Sequence, residues 1–224
     1  MALKLGAGQG CPELAAIYLC KNRKTLHDGA RKFDPATLAW IELDSPQPGS
    51  MDISPRDAIR WLYTEGKARL VPVGVIGPRD ATARQLAIAE ELGQRLGELS
   101  IPLLNGGKNG VMEAVSKGCA ESGGLVMGFV PDDDWTAAND YVTIPIATGL
   151  GKGRNVLIAQ ASLALIAVGG GYGTLSEIAF GLHFDKPVFT LEGAPAIDGV
   201  IPKASVDEVI DDLMLVILKL HEEP

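Results

Sequence analysis

One glycine-rich segment constrains the fold of this 224-residue chain more than any other. A continuous apolar run, residues 163–168, leads directly into Gly169-Gly170-Gly171-Tyr172-Gly173-Thr174, and a helical pattern follows over residues 175–184. An uninterrupted apolar run of this kind is typical of a parallel strand that is buried on both faces. The glycines allow positive φ angles and a close approach of a ligand to the backbone. The segment therefore predicts a central strand, a tight turn and a helix.

The same alternation of apolar runs and helical patterns extends over residues 69–224. The predicted strands are 70–76, 101–104, 125–130, 141–147, 163–168 and 187–191. The predicted helices are 81–99, 111–120, 154–161, 175–184 and 205–221. Strands that alternate with helices predict an α/β fold, with a doubly wound and mostly parallel sheet and helices on both faces.

Residues 1–68 follow a different pattern. Two strands are predicted at 15–20 and 38–43, and a helix is predicted to begin at Pro55 with Ser54 as its N-cap and to end at Gly66. A segment of about 60 residues can barely support a core of its own. We therefore expect residues 1–68 to form a short N-terminal extension that packs on the main domain.

Three glycine-containing turns follow predicted strands, at the sheet edge where parallel folds bind ligands. We expect these turns to converge on one crevice. Behind the last of them, the first N–H groups of a helix are unpaired and the helix dipole favours an anion, so a phosphate is the expected ligand. The candidate binding residues are Gly77, Pro78, Gly106, Gly107, Gly169, Gly170, Gly171, Tyr172, Gly173 and Thr174. The alternative is a tight turn that only packs the helix on the sheet.

One charged residue follows this turn in the sequence and another begins the helix before it. Glu177 comes three residues after Thr174, on the expected first turn of the helix, where it either faces the site or stabilises the helix start. Arg154 begins the preceding predicted helix, where a cation is normally disfavoured. An arginine at such a position is a candidate for binding an anion, and the alternative is a surface salt bridge.

Composition and spacing argue against several other classes of function. The net charge of −8 and the pI of about 4.9 predict no nucleic-acid partner. No apolar run approaches the length of a membrane span, and no signal-peptide pattern is present. The scattered thiols Cys11, Cys20 and Cys119 fit a reducing cytoplasm and no zinc site. The acidic run 132–134 lacks metal-ligand spacing, so we expect a solvated loop and no metal.

The glycine turn with its flanking residues resembles a known signature. Residues 169–177, ending in Glu177, are similar to the PGGxGTxxE signature of the Lonely Guy family, which was long mislabelled as lysine decarboxylases. The segment 105–113 resembles the family's GGGxxGLM element, and Arg154 lies at the place of its motif arginine. The resemblance covers roughly residues 70–192. The sequence departs from the family pattern at two positions, since Gly169 replaces the leading proline and Asn155 replaces a lysine. With these two residues the pattern is similar to that of a sister branch that includes molybdenum-cofactor carrier proteins.

The resemblance implies a Rossmann-like fold and a homodimer or higher homo-oligomer. In the enzymatic branch it implies hydrolysis of the N-glycosidic bond of nucleoside 5′-monophosphates such as AMP, with Arg154 and Glu177 as the catalytic pair and residues 170–174 holding the 5′-phosphate. In the sister branch it implies a non-catalytic carrier or sensor that holds a phosphorylated pterin, the molybdenum cofactor, as a bound ligand. No required cofactor and no lysine decarboxylase activity are expected. A structural module with a vestigial pocket is a third alternative.

Overall fold

The computed structural model describes residues 16–220, and these form two compact units. One unit comprises residues 71–210, and the other comprises residues 16–70 together with 211–220. Cys11, His221 and the first residue of the strand predicted at 15–20 lie outside the described residues. The packing of residues 1–68 on the main domain stays a prediction.

The N-terminal unit contains a small antiparallel sheet. Its described strands are β1 (Tyr18–Cys20), β2 (Thr25–His27), β3 (Arg31–Asp34), β4 (Ala39–Glu42) and β5 (Met51–Asp52), in the order β4-β3-β2-β1-β5. Only two of these strands were predicted, because β2, β3 and β5 are short and polar and carry little apolar alternation. Helix α1 (Pro55–Thr64) begins as predicted, since the Ser54 side chain accepts a hydrogen bond from the Asp57 N–H.

The 71–210 unit is built on a seven-stranded parallel sheet, which confirms the predicted Rossmann-like, doubly wound fold. Its strands are β6 (Val73–Ile76), β7 (Leu103–Asn105), β8 (Val126–Val130), β9 (Ile144–Ala147), β10 (Leu165–Val168), β11 (Val188–Leu191) and β12 (Ile201–Pro202). The helices of this unit are α2 (Ala83–Glu98), α3 (Val111–Glu121), α4 (Asn155–Ala161) and α5 (Tyr172–His183), and α6 (Val206–Ile217) begins in it. In the part of the chain from 16 to 220, no helix is long and apolar enough to cross a membrane.

The order of the strands places a crevice between β6 and β10. The sheet runs β12-β11-β10-β6-β7-β8-β9, so the chain moves away from β6 on one side and returns on the other side at β10. In doubly wound sheets, ligands bind at the carboxyl ends of the strands where the order reverses. All four residues of β10 are buried, as predicted for a central strand, and the glycine turn follows it directly. The turns after β6 and β10 therefore lie at this reversal point.

Candidate functional site

The glycine turn after β10 depends on its first two glycines for its backbone conformation. Gly169 has a φ of +60° and Gly170 a φ of +142°, which L side chains rarely adopt. A Cβ on Gly169 would lie 2.2 Å from Nε2 of Gln85, and a Cβ on Gly170 would lie 2.5 Å from Cβ of Thr174. These two positions are glycine because of the turn itself and its packing.

The later glycines of the turn, Gly171 and Gly173, border open space. A Cβ on either residue would meet no atom within 4 Å. Gly171 is the N-cap of α5, and no side chain among the described residues caps this helix. Tyr172, the first helical residue, is 93% exposed, whereas Thr174 is buried. The first N–H groups of α5 are thus accessible, which is the geometry of an anion site.

Two further turns lie beside this helix start, after β6 and β7. A Cβ on Gly77 would lie 2.7 Å from the carbonyl oxygen of Val168, so the first of these turns packs against the end of β10. Its next residue, Pro78, accepts a hydrogen bond from the Val111 N–H at 3.1 Å, at the start of α3. The second turn contains Gly106, where a Cβ would lie 2.0 Å from Nη2 of Arg154. The structure thus brings the three predicted turns to one edge of the sheet.

Arg154 and Glu177 form a buried ion pair below these turns. Nη1 of Arg154 donates to Oε1 of Glu177 at 3.0 Å, and the two residues are 7% and 6% exposed. Arg154 also donates to Oδ1 of Asn155 at 2.8 Å and to the carbonyl oxygen of Gly106 at 3.4 Å. The surface salt bridge considered for Arg154 is therefore wrong, since the pair is enclosed. Arg154 connects the second glycine turn to helix α5.

Burial shifts the protonation of this pair. It raises the pKa of the Glu177 carboxyl to about 7, and the neighbouring Arg154 opposes part of that rise. Burial also lowers the pKa of the Arg154 guanidinium, while Glu177 counteracts the shift. A carboxyl group with a pKa near 7 can exchange a proton at neutral pH, which is what acid–base chemistry requires.

Arg154 and Glu177 both lie at helix positions other than the predicted ones. Helix α5 begins at Tyr172 rather than at residue 175, because the positive φ angles end at Gly170 and Gly173 accepts helical geometry. Glu177 therefore lies in the second turn of the helix and faces inward. Arg154 ends a 3₁₀ turn, Gly151–Arg154, and the α-helix begins one residue later.

Sequence reasoning named Asn105 and Asn155 only as parts of the family resemblance and did not predict that both hold the site together. Asn105 is fully buried at the end of β7, where its Oδ1 accepts from the Gly107 N–H at 2.7 Å and its Nδ2 donates to Oγ of Ser116 at 2.9 Å. Asn155 donates to Oγ of Ser176 at 3.0 Å and to the carbonyl oxygen of Gly173 at 3.3 Å. A polar residue that closes an apolar strand was the available signal for Asn105. Asn155 links Arg154 to the glycine turn.

The acidic loop after β8 is involved in a salt bridge. Oδ2 of Asp132 accepts from Nζ of Lys108 at 3.0 Å. Across residues 16–220, no group of three or more His, Cys, Asp or Glu residues could hold a metal ion.

Comparison with known proteins places this geometry in a family. The model of the SLOG cluster4 family matches residues 70–218. The chain belongs to this family. Its relatives include an uncharacterized protein of Archaeoglobus fulgidus, 41% identical over 143 residues, which are 64% of this chain and 94% of the relative. A cytokinin riboside 5′-monophosphate phosphoribohydrolase of Arabidopsis thaliana is 33% identical over 138 residues, which are 55% of this chain and 58% of that enzyme.

Similar solved structures include molybdenum-cofactor proteins. The molybdenum cofactor binding protein of Rippkaea orientalis superimposes with a TM-score of 0.63 at 35% identity, covering 66% of this chain and 98% of that protein. The molybdenum cofactor carrier protein of Chlamydomonas reinhardtii gives a TM-score of 0.60 at 37% identity, covering 65% of this chain and 98% of that protein. The predicted resemblance to the Lonely Guy family and to its carrier branch is therefore confirmed.

Proposed function

We propose that the 71–210 unit binds a phosphate-bearing, nucleotide-like ligand with its phosphate at the start of α5. The observation that carries this proposal is the open N-terminus of α5, where Gly171 and Gly173 leave free space beside accessible N–H groups. A phosphate gains hydrogen bonds from these groups and a favourable interaction with the helix dipole. The names of the relatives support the ligand class, since they act on a nucleoside 5′-monophosphate or bind the molybdenum cofactor.

The remainder of the ligand would extend across the turns after β6 and β7. Gly77, Pro78, Gly106 and Gly107 would line its path, because these turns meet the start of α5 at the reversal point of the sheet. Thr174 would add a hydroxyl donor to the phosphate and Tyr172 would border it. The exposed side chain of Tyr172 is free to turn toward a bound ligand.

The enzymatic form of this proposal is hydrolysis of the N-glycosidic bond. Water would add to C1′ of the ribose and lose a proton, while the base would leave with the bond electrons and take up a proton, giving free base and ribose 5-phosphate. The ionised Glu177 would stabilise the positive charge that builds on the ribose, and Arg154 would orient Glu177. The specific observation in favour is the pKa of Glu177 near 7 in a buried site beside the glycine turn.

The second candidate is a carrier that holds a phosphorylated pterin, the molybdenum cofactor, as cargo without cleaving it. The observation that favours it is Asn155, which occupies the place of the enzymes' lysine and bonds Arg154, Ser176 and the Gly173 carbonyl. These bonds engage both polar atoms of the Asn155 side chain within the protein. Because asparagine is neutral, this position also supplies no second cation for a reaction. The molybdenum-cofactor proteins of Rippkaea orientalis and Chlamydomonas reinhardtii also align over nearly their whole length.

Incubation with AMP and related monophosphates separates these forms. A phosphoribohydrolase will release free base and ribose 5-phosphate, detected by chromatography, and Glu177→Ala will abolish turnover while phosphate binding persists. A carrier will bind the monophosphate or the molybdenum cofactor in calorimetry and release no base. Absence of binding to any phosphate-bearing ligand would refute the proposal as a whole.

We also propose a homodimer or higher homo-oligomer in the cytoplasm. Exposed apolar side chains in the 71–210 unit support self-association: Ile144 and Ile146 of the edge strand β9 are each 40% exposed and Leu150 is 54% exposed. The free thiols of Cys20 and Cys119 fit a reducing compartment. Light scattering of the purified protein tests the oligomer, and a monomer at micromolar concentration would contradict it.

A further inference from the structure

Arg79 lies in the turn after β6, at the point where the strand order reverses. The backbone of this turn packs closely against Gly110. A Cβ added to Gly110 would lie 2.3 Å from the carbonyl oxygen of Arg79 and 2.5 Å from that of Pro78. The Val111 N–H donates to the same Pro78 oxygen. The turn is thus wedged between the end of β10 and the start of α3, beside the proposed phosphate site.

Unlike the other arginines of its unit, Arg79 has no carboxylate partner. The unit contains four arginines, and three of them form ion pairs: Arg84 with Glu192, Arg95 with Asp207 and Arg154 with Glu177. The exposed side chain of Arg79 makes no ion pair or hydrogen bond with any residue between 16 and 220. Asp132, an acidic residue within its electrostatic range, is already bound by Lys108.

The positive charge of Arg79 acts electrostatically on the buried ion pair of Arg154 and Glu177. After the effect of burial and the opposing effect of Glu177, the charge of Arg79 lowers the pKa of Arg154 further. Two guanidinium groups that repel each other in one crevice favour an anion between them. Arg154 also buries its Nε without any hydrogen-bond partner in the described chain, so one donor in this crevice is unsatisfied.

We propose that Arg79 binds the phosphate of the ligand directly and makes the site select phosphate-bearing ligands over their dephosphorylated forms. This inference rests on the proposed function. The helix start supplies N–H donors to one side of the phosphate, and the long side chain of Arg79 would supply a bidentate contact from the adjacent turn. A phosphate monoester carries a charge of about −1.5 to −2 at neutral pH, which one helix terminus compensates only in part.

The test compares Arg79→Gln with the conservative Arg79→Lys and with the control Arg84→Gln. Arg84 is also exposed and lies on α2, but it pairs with Glu192. Binding of AMP, inorganic phosphate and adenosine is measured by calorimetry at two salt concentrations, and circular dichroism verifies folding. We expect Arg79→Gln to weaken AMP and phosphate about tenfold or more, as loss of a charge-assisted contact does, and to reduce the salt dependence. Adenosine binding will not change, Arg79→Lys will retain part of the affinity, and Arg84→Gln will behave as the unmodified protein.

The outcomes separate this inference from the function on which it rests. If the unmodified protein binds AMP and Arg79→Gln binds it equally well, only the role of Arg79 is overturned. An equal loss for AMP and adenosine would also overturn it, because it would indicate a structural role. If the unmodified protein binds neither AMP nor inorganic phosphate, the phosphate site itself is refuted, and the role of Arg79 with it.

Discussion

Helices α2 and α5 follow neighbouring parallel strands, β6 and β10, yet they begin in opposite ways. At α2, Oγ1 of Thr82 accepts from the Gln85 N–H at 3.2 Å and Oε1 of Gln85 accepts from the Thr82 N–H at 3.0 Å. At α5, the N-cap is Gly171, and no described side chain caps it. The first helix start is closed by its own side chains, whereas the second leaves its donors for a ligand.

This difference extends to the other helices around the site. Helix α1 is capped by Ser54, far in sequence from the glycine turns. Helices α3 and α4 begin at Gly110 and after Arg154, and like α5 they have no side-chain cap within residues 16–220. A missing cap typically lowers stability by about 1 kcal/mol. The helices that carry the candidate site thus give up local stabilisation that α1 and α2 retain, which is the pattern expected of ligand-binding termini.

The largest expected effect concerns the carboxylate that α5 buries. Glu177 has a raised pKa of about 7 in the folded protein against a usual value of 4.5. Between these values the folded state binds a proton that the unfolded state has lost, so stability decreases as pH rises through this window. We expect the unfolding free energy of the unmodified protein to fall by about 3 kcal/mol relative to Glu177→Gln between pH 4.5 and pH 7.

Urea unfolding at a series of pH values measures this difference. Glu177→Gln is the suitable reference because the amide keeps an acceptor for Arg154 and does not titrate. Carboxylates with lowered pKa values, such as Asp28 and Asp34, lose their stabilising effect only at lower pH and do so in both proteins. Parallel pH profiles for the two proteins would show that Glu177 does not cost stability.

Gly171→Val tests whether the open start of α5 is the ligand site. The branched side chain would fill the free space beside the N–H groups, so we expect affinity for AMP or inorganic phosphate to fall roughly 100-fold, about 2.7 kcal/mol. Stability should change by no more than about 1 kcal/mol, since the added Cβ meets no atom within 4 Å and the backbone is extended. Calorimetry and thermal unfolding measure the two effects, and Gly171→Ala should give a smaller loss. If the affinity were retained, the phosphate would have to bind at a site other than the start of α5.

Gly106→Ala tests the contact between the second glycine turn and the ion pair. The new Cβ would lie 2.0 Å from Nη2 of Arg154, so the guanidinium must shift away from this turn. We expect a loss of about 2 kcal/mol of stability, as for other overpacked sites. Gly173→Ala is the matched control, because the same methyl group there meets nothing within 4 Å. Equal stability of the two variants in urea would show that Arg154 is not held against this turn.

Most of the parallel unit was predictable from sequence, because β6, β7 and β10 are apolar runs that lead into glycine-containing turns, whereas the two-residue strand β12 was not predicted. The predicted strand at 163–168 contains β10, and the predicted helix at 81–99 contains α2. The short strands β2 and β3 escaped prediction because they are held by hydrogen bonds to the strands next to them in the chain rather than marked by an apolar pattern. In β3, for example, Phe33 is the single buried residue.

The candidate site was predictable in its residue types but not in its contacts. Arg154 and Glu177 were identified by resemblance, yet their pairing spans 23 positions in the sequence and depends on the placement of α4 beside α5. Helix α5 begins earlier than predicted, so Glu177 lies in its second turn. The predicted boundary was late because glycine has a low helix propensity, and a helix that begins among glycines is not recognised from propensity. The unpaired state of Arg79 emerges only when the partners of the other arginines are known.

Thr82→Ala is the complement of the glycine substitutions and has the smallest expected effect. Removing the hydroxyl opens the start of α2 by breaking its bond from the Gln85 N–H, which should lower stability by about 1 kcal/mol. Gln85 retains its bond to the Glu192 carbonyl and its position under Gly169, so the glycine turn should keep its shape. We therefore expect unchanged affinity for AMP or inorganic phosphate alongside a lower midpoint in urea. A parallel loss of affinity would mean that the two helix starts are coupled through Gln85, and that a closed cap at α2 is part of what keeps α5 open.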